Sequence, residues 1–346
     1  MNKIHLFNPE NDLALAANSP YYTPRAAAKA LHDAGELLPM WWAEDDDLIL
    51  VTDIDRHADE LRRMKKIYGV KGTPVTHVEQ SMSKNFHPDC WGWSSYARRL
   101  FLMGGTDPSL LPDNATLEML RQLSHRRTSI SIHSLINTPK ELIPTETSDV
   151  TEAFDFITRH NGSAVIKLPW SSSSRGIIYS DEVPQDTLRE YLYGIIHRHG
   201  SLLIEPRYNK LQDFATLYRC ADGKASFEGL SVFMSDGKSR YSGNLIMPQN
   251  KMERLIGLNL QEIKAQIEYA LNQVISPHYS GWLGVDMLTY QSPSGEKLIA
   301  PCIEVNLRRT MGVAALEIER RLPAHMKDSV LLLSVTPEGI KITPSS

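Results

Sequence analysis

Cysteine is scarce: Cys90, Cys220 and Cys302 are the only three among 346 residues, and no C-x-x-C pair occurs. That spacing argues against a disulfide framework and against a compact Cys/His zinc site. No apolar run approaches the roughly 18 residues a membrane span needs. Asn8 and Glu10 interrupt the N-terminus before a signal-like apolar stretch develops. The expectation is a cytoplasmic protein without a membrane partner. Charge of neither sign dominates, since 37 Lys and Arg against 41 Asp and Glu leave a net −4. A broad basic face for nucleic acid is therefore not expected. Glycine and proline, 20 of each, are spread along the chain, which argues against a collagen-like or disordered protein.

Familiar catalytic signatures are missing too. The chain contains no G-x-G-x-x-G, no H-E-x-x-H and no G-x-S-x-G. Gly237-Lys238-Ser239 imitates the end of a P-loop, but Val232 stands where the first glycine is required.

What is present is enough chain for two domains or one large multilobed one, at about 150 residues per domain. The first third reads as parallel α/β. Short apolar strands at 4–7, 48–51 and 74–78 alternate with helices. One helix opens at Thr23-Pro24, a Thr cap with Pro at the first helical position, and ends near Gly35. A second covers 56–67. A Gly/Pro-rich connection at 104–108 marks a boundary, and further helices are expected at 114–126, 149–160 and 258–275.

Three segments carry residue types suited to chemistry. The strand Val165-Ile166-Lys167 runs into Ser171, Ser172, Ser173, Ser174, Arg175 and Gly176. A lysine and a small Ser/Gly loop suit a phosphate, which takes a point charge and N–H and hydroxyl donors; the alternative is a solvated hairpin loop. The apolar strand 202–204 ends in Glu205-Pro206-Arg207-Tyr208, with Asp213 shortly after. It suits a hinge whose backbone holds an adenine edge, or else an ordinary strand-to-loop junction. The third segment is a hairpin, 284–290 and 298–306, around a turn near Gly295. Pairing across it sets Asp286 opposite Glu304, and Asn306 follows on the same face by the period of two. Two carboxylates and an amide oxygen on apolar strands suit a hard divalent cation; a salt-bridged polar face is the alternative. Arg308, just beyond, is placed to hold a phosphoryl group or a carboxylate.

The order Lys167 with its Ser/Gly loop, Glu205, Asp286, then Glu304-Val305-Asn306-Leu307-Arg308 resembles the ATP-grasp superfamily, whose last element is commonly E-x-N-x-R. The resemblance covers about residues 123–320. It implies an α/β (α+β) protein with a Rossmann-like pre-ATP-grasp domain at 1–105 and an ATP-grasp domain at 106–346. Within the latter, a small lid subdomain is expected at about 130–205 and a large one at about 206–346. It implies ATP and Mg²⁺ as cofactors, with Mn²⁺ as an alternative ion. Lys167 and Arg308 are the implied catalytic residues. Lys167, Ser171, Ser172, Ser173, Ser174 and Gly176 would meet the nucleotide from a mobile loop. Glu205 and Tyr208 would hold adenine and Asp213 ribose, while Asp286, Glu304 and Asn306 would bind the metal.

The chain also departs from the pattern. A lysine common upstream of the small subdomain is replaced by Arg126 or Arg127. Gly284 stands where a basic residue often precedes the metal-binding Asp, so Lys238 or Arg240 is considered for the γ-phosphate. Asp213 lies one residue further from Glu205 than in the commonest pattern.

The implied reaction is carboxylate activation: ATP phosphorylates a carboxylate, and an amine attacks the acyl phosphate. The partners expected are ATP and small-molecule or peptide carboxylates and amines; an oligomer is compatible with this reading. Phosphoryl transfer to a hydroxyl acceptor and non-catalytic nucleotide binding are the competing readings. Asn8-Pro9-Glu10-Asn11-Asp12, after the first strand, is either a wall of the substrate cleft or a capped loop. Trp41-Trp42 and Trp91-Gly92-Trp93 are expected to pack internally rather than face substrate. Arg309, on the opposite side of a continuing strand from Arg308, is expected to tolerate alanine.

Overall fold

The computed structural model describes residues 2–171, 176–235, 241–336 and 338–345. Its first layer is a parallel sheet of four strands: β1 (Asn2–Leu6), β2 (Leu48–Leu50), β3 (Thr73–Val75) and β4 (Phe86–Cys90), in the order β3-β2-β1-β4. The first three match the apolar runs of the sequence. The fourth, Phe86-His87-Pro88-Asp89-Cys90, has no alternation that would reveal it. Pro88 is tolerated because β4 is an edge strand, where one missing N–H breaks no inner ladder.

Two local expectations change. The helix expected from Thr23-Pro24 is Ala26–Gly35, because the chain stays extended through Arg25, whose carbonyl accepts from Ala28 and Lys29. Gly35 closes it against the Phe7 ring, where a Cβ would lie 2.3 Å from Phe7 Cε1. Asn8-Pro9-Glu10 is not merely a loop: it leads directly into the helix Asn11–Ala17, with Asn11 N donating to Asn8 O.

The second sheet is antiparallel, with β5 (Thr145–Thr147), β6 (Ala164–Lys167), β7 (Ile177–Tyr179) and β8 (Leu202–Pro206) in the order β5-β8-β6-β7. Helices Val150–Arg159 and Gln185–His199 bury Phe156, Ile157, Leu188 and Leu192 against Ile166 and Ile204. The first of these starts where the sequence placed it, because the Asp149 side chain accepts from Thr151 N.

The third sheet has seven antiparallel strands: β9 (Lys210–Ala221), β10 (Lys224–Ser235), β11 (Tyr241–Ile246), β12 (Gly281–Gln291), β13 (Lys297–Asn306), β14 (Leu331–Thr336) and β15 (Gly339–Pro344). Their order is β13-β12-β9-β10-β11-β14-β15. Helices Gln249–Ile256 and Gln261–Val274 cover one face through Met252, Ile256, Ile267 and Leu271. The long expected helix at 258–275 thus starts three residues late, after an Asn259 turn whose side chain accepts from Gln261 N. Helix Met311–Arg321 covers part of the other face, with Val313 and Leu316 on Ala215 and Leu217. Its far side packs into the tryptophan-rich core of the first layer, around Trp41, Trp42 and Trp91. These tryptophans are packing residues, as expected: the Trp91 ring meets Phe7 edge-on at 5.0 Å. No helix among the described residues is long and apolar enough to cross a membrane.

Candidate active site

The hairpin of β12 and β13 carries the acidic residues. Gln291 pairs with Lys297 across a turn in which Gly295 takes φ +87°, a conformation favouring glycine. From that turn, an unbroken ladder would set Asp286 opposite residue 302. Instead the register shifts between Asp286 and Leu288, so that 301–303 oppose the single residue Met287. Pro301, which lacks an N–H, and Cys302, at φ +57°, form this bulge. Its two extra residues bring Glu304 opposite Asp286, and Asn306 opposite Gly284 on the same face.

Around this face, side chains from four other segments converge. Asn306 Nδ2 donates to Asp286 Oδ2 at 3.0 Å. Both oxygens of Glu304 accept from Arg126, at 3.1 Å from Nε and 3.0 Å from Nη2. Lys167 Nζ lies 2.5 Å from Glu205 Oε1 and donates to Ile303 O at 3.3 Å. The antiparallel pairing Val165↔Glu205 and Lys167↔Leu203 explains this ion pair, since it puts Lys167 and Glu205 on one face. Arg308 Nη2 donates to Asn306 Oδ1 at 2.9 Å, and its Nε and Nη2 grip Asp12 at 2.7–3.0 Å. Asn8 Nδ2 ties the same loop to Gly92 O at 2.8 Å. Gly92 has no room for a side chain, because a Cβ would lie 2.5 Å from Asn11 Nδ2 and 3.0 Å from Arg308 Cβ.

The electrostatics are those of an acid pair crowded by cations. Burial and then the neighbouring Glu304 push the Asp286 carboxyl up to about 7, against the pull of Arg308 and Asn306. Burial pushes Glu304 the same way, but Arg126, Lys167 and Arg308 outweigh it and hold that carboxyl below its ordinary value. Burial disfavours the charge on Arg308, and Asp12 more than restores it.

The sign of the resulting pH effect follows from linkage. Asp286 titrates near 7 when folded and near 4 when unfolded. Its contribution to stability is complete below the unfolded value and is lost as pH rises through 7. Without metal, Asp286→Asn is expected to raise the melting temperature by several degrees at pH 8. The gain should shrink steadily as the pH falls to 5, and thermal melts of both proteins across that range check it.

The other sequence candidates are more scattered. Tyr208 is half-buried and packs on the Tyr290 ring at 4.8 Å; burial and then Glu205 push its phenol up. Asp213 faces Leu288 on β12 and accepts from Lys210 at 2.7 Å. Ser171 is buried with no partner for its hydroxyl, and Gly176 O accepts from Leu168 N. Ser172, Ser173, Ser174, Lys238 and Arg240 lie outside the described residues.

One expectation is overturned. β13 ends at Asn306, the chain turns as Arg308 N donates to Asn306 O, and Arg309 does not point to solvent. It is 5% exposed, donates to Asp89 Oδ2 at 2.7 Å and stacks over Trp42 at 4.6 Å. Breaking a buried ion pair costs about 3–5 kcal/mol, and Lys3 and His5 stay near Asp89, so Arg309→Ala should cost about 3 kcal/mol in urea unfolding. The sequence offers Arg126 only as one of two replacements for an upstream lysine, and Asp12 only as part of the 8–12 segment; it pairs neither with Glu304 nor with Arg308. Arg126 and Arg127 look alike there, yet Arg126 is buried on Glu304 while Arg127 reaches the half-exposed Glu146.

The acidic face fits a hard cation in its donor chemistry: two carboxylates and an amide oxygen, with the charged form of Asp286 disfavoured by burial and by Glu304. Among the described residues no third His, Cys, Asp or Glu joins them.

Neither a family model nor a curated protein sequence matches the chain. Solved structures do. The biotin carboxylase domain of a 2-oxoglutarate carboxylase from Hydrogenobacter thermophilus, described with MgADP, ADP and bicarbonate, is 12% identical at a TM-score of 0.52. That match covers 92% of this chain and 69% of that one. The chain has an ATP-grasp fold. Other ATP-grasp structures match with lower scores. D-alanyl-alanine synthetase A from Vibrio cholerae is 10% identical at a TM-score of 0.49, over 92% of this chain and 93% of that one. N5-carboxyaminoimidazole synthetase from Staphylococcus aureus is 9% identical at 0.48, over 96% and 84%.

Proposed function

We propose that the chain is an ATP- and Mg²⁺-dependent ligase that activates a carboxylate as an acyl phosphate for attack by an amine. The observation that carries this reading is the acidic face of Asp286, Glu304 and Asn306, met by Arg126, Lys167 and Arg308 from separate segments of an ATP-grasp fold. An acidic face whose three neighbouring cations are each held on a carboxylate suits a polyphosphate that arrives with its own metal and draws those cations to its oxygens. The division into 1–105 and 106–346, with the second sheet as the small subdomain, belongs to the same proposal.

Asp286, Glu304 and Asn306 would hold the Mg²⁺, which when bound supplies positive charge against the phosphate oxygens. Glu304 and Asn306 are engaged by Arg126 and Arg308, so loading the site frees guanidinium N–H groups beside the phosphates. Lys167 supplies a point charge and Glu205 the acid that orients it, with Glu205 and Tyr208 on the adenine side. Arg308, held by Asp12 through Nε and Nη2, would supply positive charge to the phosphoryl group as negative charge develops on it. The helix-leading loop 8–12 brings the first layer to Arg308 through Asp12, which supports putting the carboxylate substrate on that side of the site.

A screen of ADP release against mixed carboxylate and amine pools, with mass detection, tests the reading. A condensed amide product with ADP formation dependent on both pools is expected. A phosphorylated hydroxyl product would make the protein a phosphotransferase instead.

A further inference from the structure

Behind the segment that carries Arg308 lies a cavity, of about 540 Å³, that the proposed reaction does not use. It opens between the start of β1, the loop before β2, the strand ends at Arg219 and Trp282, and the helix Met311–Arg321. Arg308 turns toward Asp12, whereas its neighbour Arg309 turns into this cavity wall.

The walls present donors that lack acceptors. Arg309 Nη1 and Trp42 Nε1 are both buried and neither has a hydrogen-bond partner. Arg219 makes no hydrogen bond or ion pair with the described residues; its guanidinium lies over the Trp282 ring at 5.5 Å. A buried donor left unpaired costs about 1–3 kcal/mol, so two such groups in one cavity lining, which the half-buried Arg219 shares, call for an explanation.

The charges point the same way. Asp89 faces Arg309 at 2.7 Å and Lys3 at 3.9 Å, and shares His5, at 3.1 Å, with Asp47. Most carboxylates of the lining are already engaged. Asp47 takes His5 and two backbone N–H groups, Glu44 takes Lys71 and Arg321, and Asp45 takes Lys71. Glu317 faces Arg320 at 3.5 Å, and Asp46 is exposed at the rim. Arg219 thus has no ion-pair partner among the described residues, in a cavity of the size that small metabolites occupy.

We propose that this cavity is a second ligand site, for a small organic anion whose carboxylate or phosphate oxygens sit on Arg219 and Arg309. Two guanidiniums backed by indole rings suit planar, oxygen-rich anions better than a lysine pair would, because the fork can bind two oxygens at once. The inference does not depend on the proposed ligase activity.

Calorimetric titration of the full chain tests it, with glycerol 3-phosphate and inorganic phosphate as one arm and succinate and citrate as the other. At least one probe is expected to bind in the millimolar range or tighter, and the arm that binds names the anion class. A charge-assisted bond is worth about 1.5–3 kcal/mol, so Arg219→Ala should weaken that binding by at least about tenfold. Its fold should be kept, since Arg219 has no hydrogen bond to lose; an unchanged melting temperature checks this. Arg219→Lys should recover only part of the affinity, and Arg308→Ala should leave it intact. The proposal is overturned if no probe binds, if Arg219→Ala binds as the wild type does, or if Arg308→Ala abolishes binding, which would put the anion in the acidic site.

Discussion

Arg308→Ala is expected to lower turnover by roughly 10²–10³ while nucleotide affinity stays near that of the wild type. A preorganised cation aimed at developing negative charge is worth about 3–4 kcal/mol in the transition state and little in the ground state. The geometry sharpens the expectation, because Arg308 is fixed from two sides, by Asp12 and by Asn306. Arg308→Lys should recover little, since an ammonium cannot hold Asp12 through a fork and still face the phosphoryl group. Asp12→Asn should give a smaller loss, by loosening Arg308 without removing its charge. Single-turnover rates and nucleotide titrations, measured on the same preparations, separate these effects. An Arg308→Ala protein with normal turnover would remove Arg308 from the chemistry.

Loss of the metal-dependent part of ATP binding is the second large effect. A ligand that binds only the folded state at about 100 times its Kd stabilises it by about 2.7 kcal/mol. Mg²⁺-ATP should therefore raise the melting temperature well above ATP with a chelator. Asp286→Asn and Glu304→Gln should each abolish most of that difference. The two variants should differ without ligand. Asp286→Asn relieves a carboxylate that burial and Glu304 disfavour, whereas Glu304→Gln removes the bidentate partner of buried Arg126 and lowers stability. Each shift is accordingly read against the variant's own unliganded melt. If both variants keep the full Mg²⁺-dependent shift, the metal lies elsewhere.

The hairpin at the centre of the site was legible because alternating apolar strands flank a Pro/Gly turn. The expected pairing of Asp286 with Glu304 is present, but the turn centres one residue earlier than expected, and the bulge at 301–303 makes up the count. Such a compensation leaves no periodic trace. β4 is illegible for the opposite reason: His87, Pro88 and Asp89 erase the alternation by which a strand shows in a sequence. Arg309 misleads for a third reason: a strand continuing past Asn306 would turn it away from the site, but the chain turns there and Arg309 enters the core. Arg126 and Asp12 reach the site across 178 and 296 residues of chain, a proximity that no local pattern encodes.

The most direct test of the account follows the oxygen of the activated carboxylate. A carboxylate pool carrying heavy-oxygen label is incubated with the protein, Mg²⁺-ATP and amines, and the released phosphate is analysed by mass. An acyl phosphate forms when the carboxylate oxygen attacks the γ-phosphorus. Amine attack at the carbonyl carbon then expels phosphate with that oxygen attached. The account predicts one labelled oxygen in each phosphate released, in step with amide formed. Unlabelled phosphate alongside product, or phosphate retained on an organic hydroxyl, would contradict it.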